Sequence, residues 1–155
     1  MAGTYRRIMV PLDGSRLAEC VLPHALAMAR TCDSPKVVLV RVVESVSQQA
    51  QEAPPPAGLS RLQSARMAQA EDYLRQVANK LDSGSAAFET HCLEGRAAEA
   101  LADYAAKNGI DLLVMATHGR TGVSRWAWGS VADRLLRALC IPILMVRVPG
   151  CLPAA

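Results

Sequence analysis

The sequence predicts a parallel α/β fold in a single domain, residues 1–155, with five strands and four helices in strict alternation. Three observations carry that prediction. The chain has 155 residues, the length of one ordinary domain. Hydrophobic residues make up 51% and charged residues 20%, which excludes disorder, while aromatics at 4% leave the core to aliphatic side chains. Apolar runs without polar alternation read as strands covered on both faces. They alternate with stretches whose apolar residues recur every three or four positions. That order makes a parallel sheet with right-handed crossovers.

Arg7-Ile8-Met9-Val10-Pro11-Leu12 is a short apolar run closed by the turn signal Asp13-Gly14-Ser15. A helix follows over 16–29, with Ala18, Leu22, Ala25 and Ala29 at helical spacing and Ser15 as its N-cap. Pro35 breaks the chain before a β-branched second strand, 37–43. Residues 45–58 contain three consecutive prolines, which exclude a helix or central strand there. They have little to bury and are expected to form a mobile insert. Met67, Ala70, Leu74, Val77 and Leu81 mark an amphipathic helix on the sheet surface. The third strand, 86–93, alternates enough for a place nearer an edge. A helix over 97–106 is stopped by Asn108-Gly109. A buried strand over 111–116, a helix over 130–139 and a final strand over 141–148 complete the pattern.

A formal charge of +3, with the arginines scattered, argues for no nucleic-acid partner. No apolar run approaches the ~20 residues of a membrane span. Arg6-Arg7 leads into a strand, not into the longer apolar stretch of a signal peptide. Five cysteines form no CxxC pair, and an odd count suits reduced thiols, so a cytoplasmic location is expected. Cys20, Cys92 and Cys140 read as small buried hydrophobes. His24, His91 and His118 lie too far apart for zinc-ligand spacing.

In an open α/β sheet the ligand crevice lies beyond the carboxyl ends of the strands, where the strand order reverses. The residues that end strands one, two and four therefore matter most. Strand four runs into Thr117-His118-Gly119-Arg120-Thr121-Gly122, and the last helix starts at Gly129-Ser130. Glycines let backbone N–H groups approach an anion, and a helix N-terminus favours negative charge. With the Ser130 hydroxyl and Arg120 and Arg125 flanking the loop, these residues describe a phosphate cradle. Plain turn glycines and an ordinary N-cap remain the other reading. The spacing is neither GxGxxG nor GxxxxGK[ST], which disfavours a dinucleotide fingerprint and a Walker loop. Trp126 and Trp128 read as packing that holds the loop down.

Three segments carry a resemblance. They are Val10-Pro11-Leu12-Asp13-Gly14-Ser15, then Met115-Ala116-Thr117-His118-Gly119-Arg120-Thr121-Gly122 continuing to Trp128-Gly129-Ser130-Val131-Ala132-Asp133, and Ile141-Pro142-Ile143-Leu144-Met145-Val146. Together the chain from Tyr5 to Val148 resembles the universal stress protein family. Its ATP-binding branch carries Gly-x2-Gly-x9-Gly-[Ser/Thr]. Gly119, Gly129 and Ser130 match that pattern, and Ala116 stands at its first glycine. A Cβ there adds little volume but fits a positive φ poorly.

The resemblance implies a Rossmann-like sheet of order 3-2-1-4-5, of the adenine nucleotide alpha-hydrolase-like kind, with helices on both faces and the crevice between strands one and four. It implies that Asp13 holds the ribose or a magnesium ion and that the Val42 backbone meets adenine. Met115, Ala116, Gly119, Gly129 and Ser130 would surround the phosphates. Pro11, Leu12, His118, Arg120, Gly122 and Val131 complete the expected nucleotide-binding set. His118 enters as part of the loop, since nothing pairs it with a nucleophile. The function implied is binding of ATP or a related adenine nucleotide by a stress-response sensor or accessory factor. No general base is identifiable, so hydrolysis is expected to be slow at most. The alternative is a member that has given up nucleotide and works through protein contacts. A receiver domain needs a phosphoacceptor Asp ending strand three and a Lys ending strand five, and both are absent. A flavin module remains open on fold grounds. A homodimer joined through strand 141–148 is expected, because that apolar strand would be outermost.

Overall fold

The computed structural model describes residues 5–32, 35–45, 57–81, 86–117 and 129–147. The elements run β1 (Arg7–Pro11), α1 (Arg16–Glu19), α2 (Leu22–Arg30), β2 (Lys36–Val43), α3 (Ala57–Lys80), β3 (Ala87–Glu94), α4 (Ala97–Lys107), β4 (Leu112–Ala116), α5 (Ser130–Ala138) and β5 (Ile143–Val146). All five strands are parallel, in the order β3-β2-β1-β4-β5. This is the order that the resemblance implied.

The near-continuous apolar strands are explained by two separate packing faces. Ile8, Val10, Val37, Leu39 and Val114 point to one side, against Ala18, Leu22 and Ala25 of α1 and α2 and Leu74 and Val77 of α3. Met9, Val38, Val40, Leu113 and Met115 point to the other, against Leu101 and Ala105 of α4 and Ala132 and Leu135 of α5. A strand buried on both faces has no polar side to alternate with.

Three expectations about elements need correction. The single helix expected over 16–29 is two helices. Pro23 sits in the first turn of α2, where its missing N–H costs nothing, but its ring prevents the turn before it from running on. The insert expected over 45–58 is shorter, because Ala57 and Gly58 already belong to α3; residues 46–56 lie outside the described residues. The last strand spans Ile143–Val146 instead of 141–148.

Side chains fasten the amino ends of the strands. The Asp111 carboxylate accepts from the backbone N–H groups of Arg6 and Arg7 at 2.7 and 3.0 Å, tying the start of β1 to the entry of β4. Glu89 on β3 accepts from Arg7 of β1 and Lys36 of β2, each at 2.8 Å. These contacts leave the carboxyl ends as the side of the sheet where a crevice opens.

Candidate functional site

The crevice is built where the order reverses between β1 and β4. From β1 the chain passes to Leu12, whose N–H donates to the Val40 carbonyl at 2.8 Å. Asp13 then turns the backbone. Its Oδ1 accepts from the Ser15 N–H at 2.9 Å and from the Ser15 hydroxyl at 2.6 Å. That hydroxyl accepts in turn from the Ala18 N–H at 3.1 Å, so Ser15 is the N-cap of α1 as expected. Gly14 has φ 85°, the left-handed region that glycine alone enters freely. The Arg41 guanidinium packs beneath this turn, 3.1–3.3 Å from where a Gly14 Cβ would stand. Arg41 also lies over the Tyr73 ring, 4.9 Å from its centroid, and the Tyr73 hydroxyl donates to Glu19 at 2.9 Å. Burial first, and the bond to Glu19 second, push the Tyr73 phenol up, so it stays a neutral donor. The turn presenting Asp13 is thus braced from below.

On the other side, β4 ends at Ala116. The Thr117 N–H donates to the Val146 carbonyl at 3.0 Å, and the Thr117 carbonyl accepts from the Gly129 N–H at 2.9 Å. The chain therefore re-enters at the point where it left. Gly129 is the N-cap of α5, with φ −53° and ψ 145° and no side-chain cap. The first helical bond runs from Asp133 N–H to Gly129 carbonyl at 3.0 Å. The amides of Ser130, Val131 and Ala132 come before it and have no carbonyl within the helix to bond. The third wall is the end of β2, Val40, Val42 and Glu44, with Ala97 and Leu101 at the start of α4.

These walls enclose a cavity of about 390 Å³, within the ~300–1,000 Å³ range of small-molecule sites. Of the expected residues, Pro11, Leu12, Asp13, Val42, Met115, Ala116, Gly129, Ser130 and Val131 all line it. His118, Gly119, Arg120 and Gly122 lie outside the described residues, as do Arg125, Trp126 and Trp128. The expected nucleotide-binding set left out Ala18, Val40, Glu44, Ala97, Leu101, Thr117 and Ala132 among the lining residues, though Thr117 was read as the start of the loop after strand four. Val40 was findable, because a strand residue two before Val42 shares its face. Ala97 and Leu101 are four apart on a helix, but nothing local says that this helix starts at the crevice. Among the described lining residues, Asp13 and Glu44 are the titratable side chains.

The cysteines depart from expectation. Among the described cysteines, Cys140 is exposed, Cys20 and Cys92 are half-buried, and Cys32 is buried. Burial pushes the Cys92 thiol up, with the Glu71 charge adding.

Residues 4–147 match the model of the universal stress protein family. The universal stress protein MJ0531 of Methanocaldococcus jannaschii is 30% identical over 145 residues, covering 94% of this chain and 84% of that protein. The solved structure of MJ0577 from the same organism superposes with a TM-score of 0.80 at 23% identity, over 92% of this chain and 96% of that one. The universal stress protein UspA from Lactobacillus plantarum gives 0.77 at 27% identity, over 92% and 98%. The chain belongs to the universal stress protein family.

Proposed function

We propose that this protein binds an adenine nucleotide, ATP foremost, in the crevice between β1 and β4. The observation that carries the reading is the uncapped first turn of α5 opening into a cavity with an apolar far end. Free amides at a helix N-terminus favour phosphate oxygens. Val42, Ala97 and Leu101 suit the faces of a planar base. Asp13 stands between the two, where a ribose hydroxyl can donate to it. Relatives of this fold have been solved in complex with cAMP, with AMP bound and in complex with dAMP.

Ala116 does not count against the reading. It is the last residue of β4, paired with Val146 in the sheet. That extended backbone is open to any residue, so the positive φ that alanine resists is not required here. Magnesium takes one or two carboxylates together with substrate phosphate oxygens. Asp13 is the residue that would hold it, and its charge would offset that of the phosphates.

Phosphoryl transfer needs a group that positions its nucleophile. With Asp13 engaged by Ser15 and no base–nucleophile pair among the described lining residues, a sensor or accessory role fits better than fast turnover. We place the protein in a reducing compartment such as the cytoplasm, in keeping with its odd number of cysteines. The test is to denature the purified protein and identify the released small molecule by mass spectrometry. An adenine nucleotide at a substantial fraction of the protein concentration is expected. Release of no nucleotide, together with no ATP binding by the refolded protein, would favour a role through protein contacts alone.

A further inference from the structure

We infer that Glu44 selects the base by accepting a hydrogen bond from its exocyclic amine. The inference rests on the adenine-nucleotide reading above and adds to it the residue that sets specificity. The cavity has a direction. Its α5 end offers backbone donors, so a phosphate group belongs there. The other end is formed by the last residues of β2 and the start of α4, with Val42, Ala97 and Leu101 as its apolar lining. Aliphatic side chains grip the faces of a ring but cannot read its edge. Among the described lining residues at that end, Glu44 is the one with a polar side chain.

Its position is fixed by the sheet. β2 pairs with β3 up to Val43 and Glu94, and the Gly95 N–H donates to the Val43 carbonyl at 3.1 Å. Glu44 is the next residue, exposed at the rim and next to the turn into α4. The carboxylate stays hydrated until a ligand covers it. An ionised carboxylate is an acceptor only. Adenine presents an amine at its six-position, and hypoxanthine presents a carbonyl oxygen at the same place. The first can donate to Glu44. The second sets two acceptors against each other, so the exposed carboxylate turns back to water and the base forgoes the bond.

The experiment is titration calorimetry of AMP and IMP against the full-length wild type, Glu44→Gln and Glu44→Ala, with thermal unfolding to confirm that each variant is folded. The wild type should prefer AMP by about tenfold or more. A glutamine can turn its amide to donate to the hypoxanthine oxygen, so Glu44→Gln should bring the ratio to within about threefold. Glu44→Ala should weaken AMP and leave IMP nearly unchanged. If AMP binds and both variants keep the wild-type ratio, the base is read by backbone groups and the inference is overturned while the nucleotide reading stands. If the folded wild type binds neither AMP nor ATP, the nucleotide reading fails and the inference with it.

Discussion

Gly129 and Gly14 are both glycines, but for different physical reasons. Gly129 has φ −53°, which any residue adopts, so the backbone does not demand glycine at that position. We propose that what demands it is space at the mouth of α5, where a side chain would occupy the approach of an anion. Gly129→Val should therefore lose at least tenfold in ATP affinity, measured by calorimetry, while its unfolding midpoint shifts little. Undiminished affinity in the folded variant would remove the phosphate-cradle assignment. Gly14 is the reverse case. Its φ of 85° and the Arg41 guanidinium 3.1–3.3 Å from the added Cβ both oppose a side chain. Gly14→Ala should cost about 1–2 kcal/mol in denaturant unfolding. A neutral result would show that the turn relaxes. At this scale the sequence was readable where a motif named the residue, as for Asp13, Ser15 and Gly129. It was silent where the constraint comes from a distant side chain. Nothing near Gly14 in sequence says that Arg41 will lie beneath it, twenty-seven positions on.

Elements were legible in type and order because burial on two faces leaves an unbroken apolar run, and an amphipathic helix leaves a regular one. Their ends were less so. The break between α1 and α2 turns on Pro23, which apolar spacing alone passes over. The start of α3 at Ala57 was hidden because the prolines before it set the reading for the residues after them. The edge strand β3 shows how an element is held when its sequence is only half apolar. The hydrogen bond from Lys36 holds the Glu89 carboxyl below the usual glutamate range, and the Arg7 charge adds to this. A carboxyl depressed in the folded state stabilises fully above its unfolded pKa and loses that contribution as pH falls through the folded value. Glu89→Gln should thus cost about 0.5–1 kcal/mol near neutral pH. The deficit should shrink at an acid pH below the ordinary glutamate range. Denaturant unfolding of both proteins at the two pH values checks this, and a deficit independent of pH would assign the loss to packing.

The two edges of the whole sheet differ in a way that bears on assembly. β3 carries Glu89, His91 and Glu94, and charge on an edge strand discourages pairing with another chain. β5 is Ile-Leu-Met-Val, with no charge to blunt it. Hydrogen bonds show which way its groups point. The carbonyls of Pro142 and Val146 accept from Leu113 and Thr117 of the β4 side. In a strand the N–H and carbonyl groups of alternate residues point to the same side, so Ile143 and Met145 direct theirs outward. The missing N–H of Pro142 therefore belongs to the inner side and does not blunt the open edge as its sequence position suggests. We propose that two β5 strands pair antiparallel about a two-fold axis, closing the edge into a homodimer. Met145→Pro removes an outward donor and leaves the bonds to β4 in place, so it should fold and yet dissociate. Sedimentation equilibrium at tens of micromolar protein is expected to give a dimer for the wild type and mostly monomer for Met145→Pro. A strictly monomeric wild type would overturn the pairing.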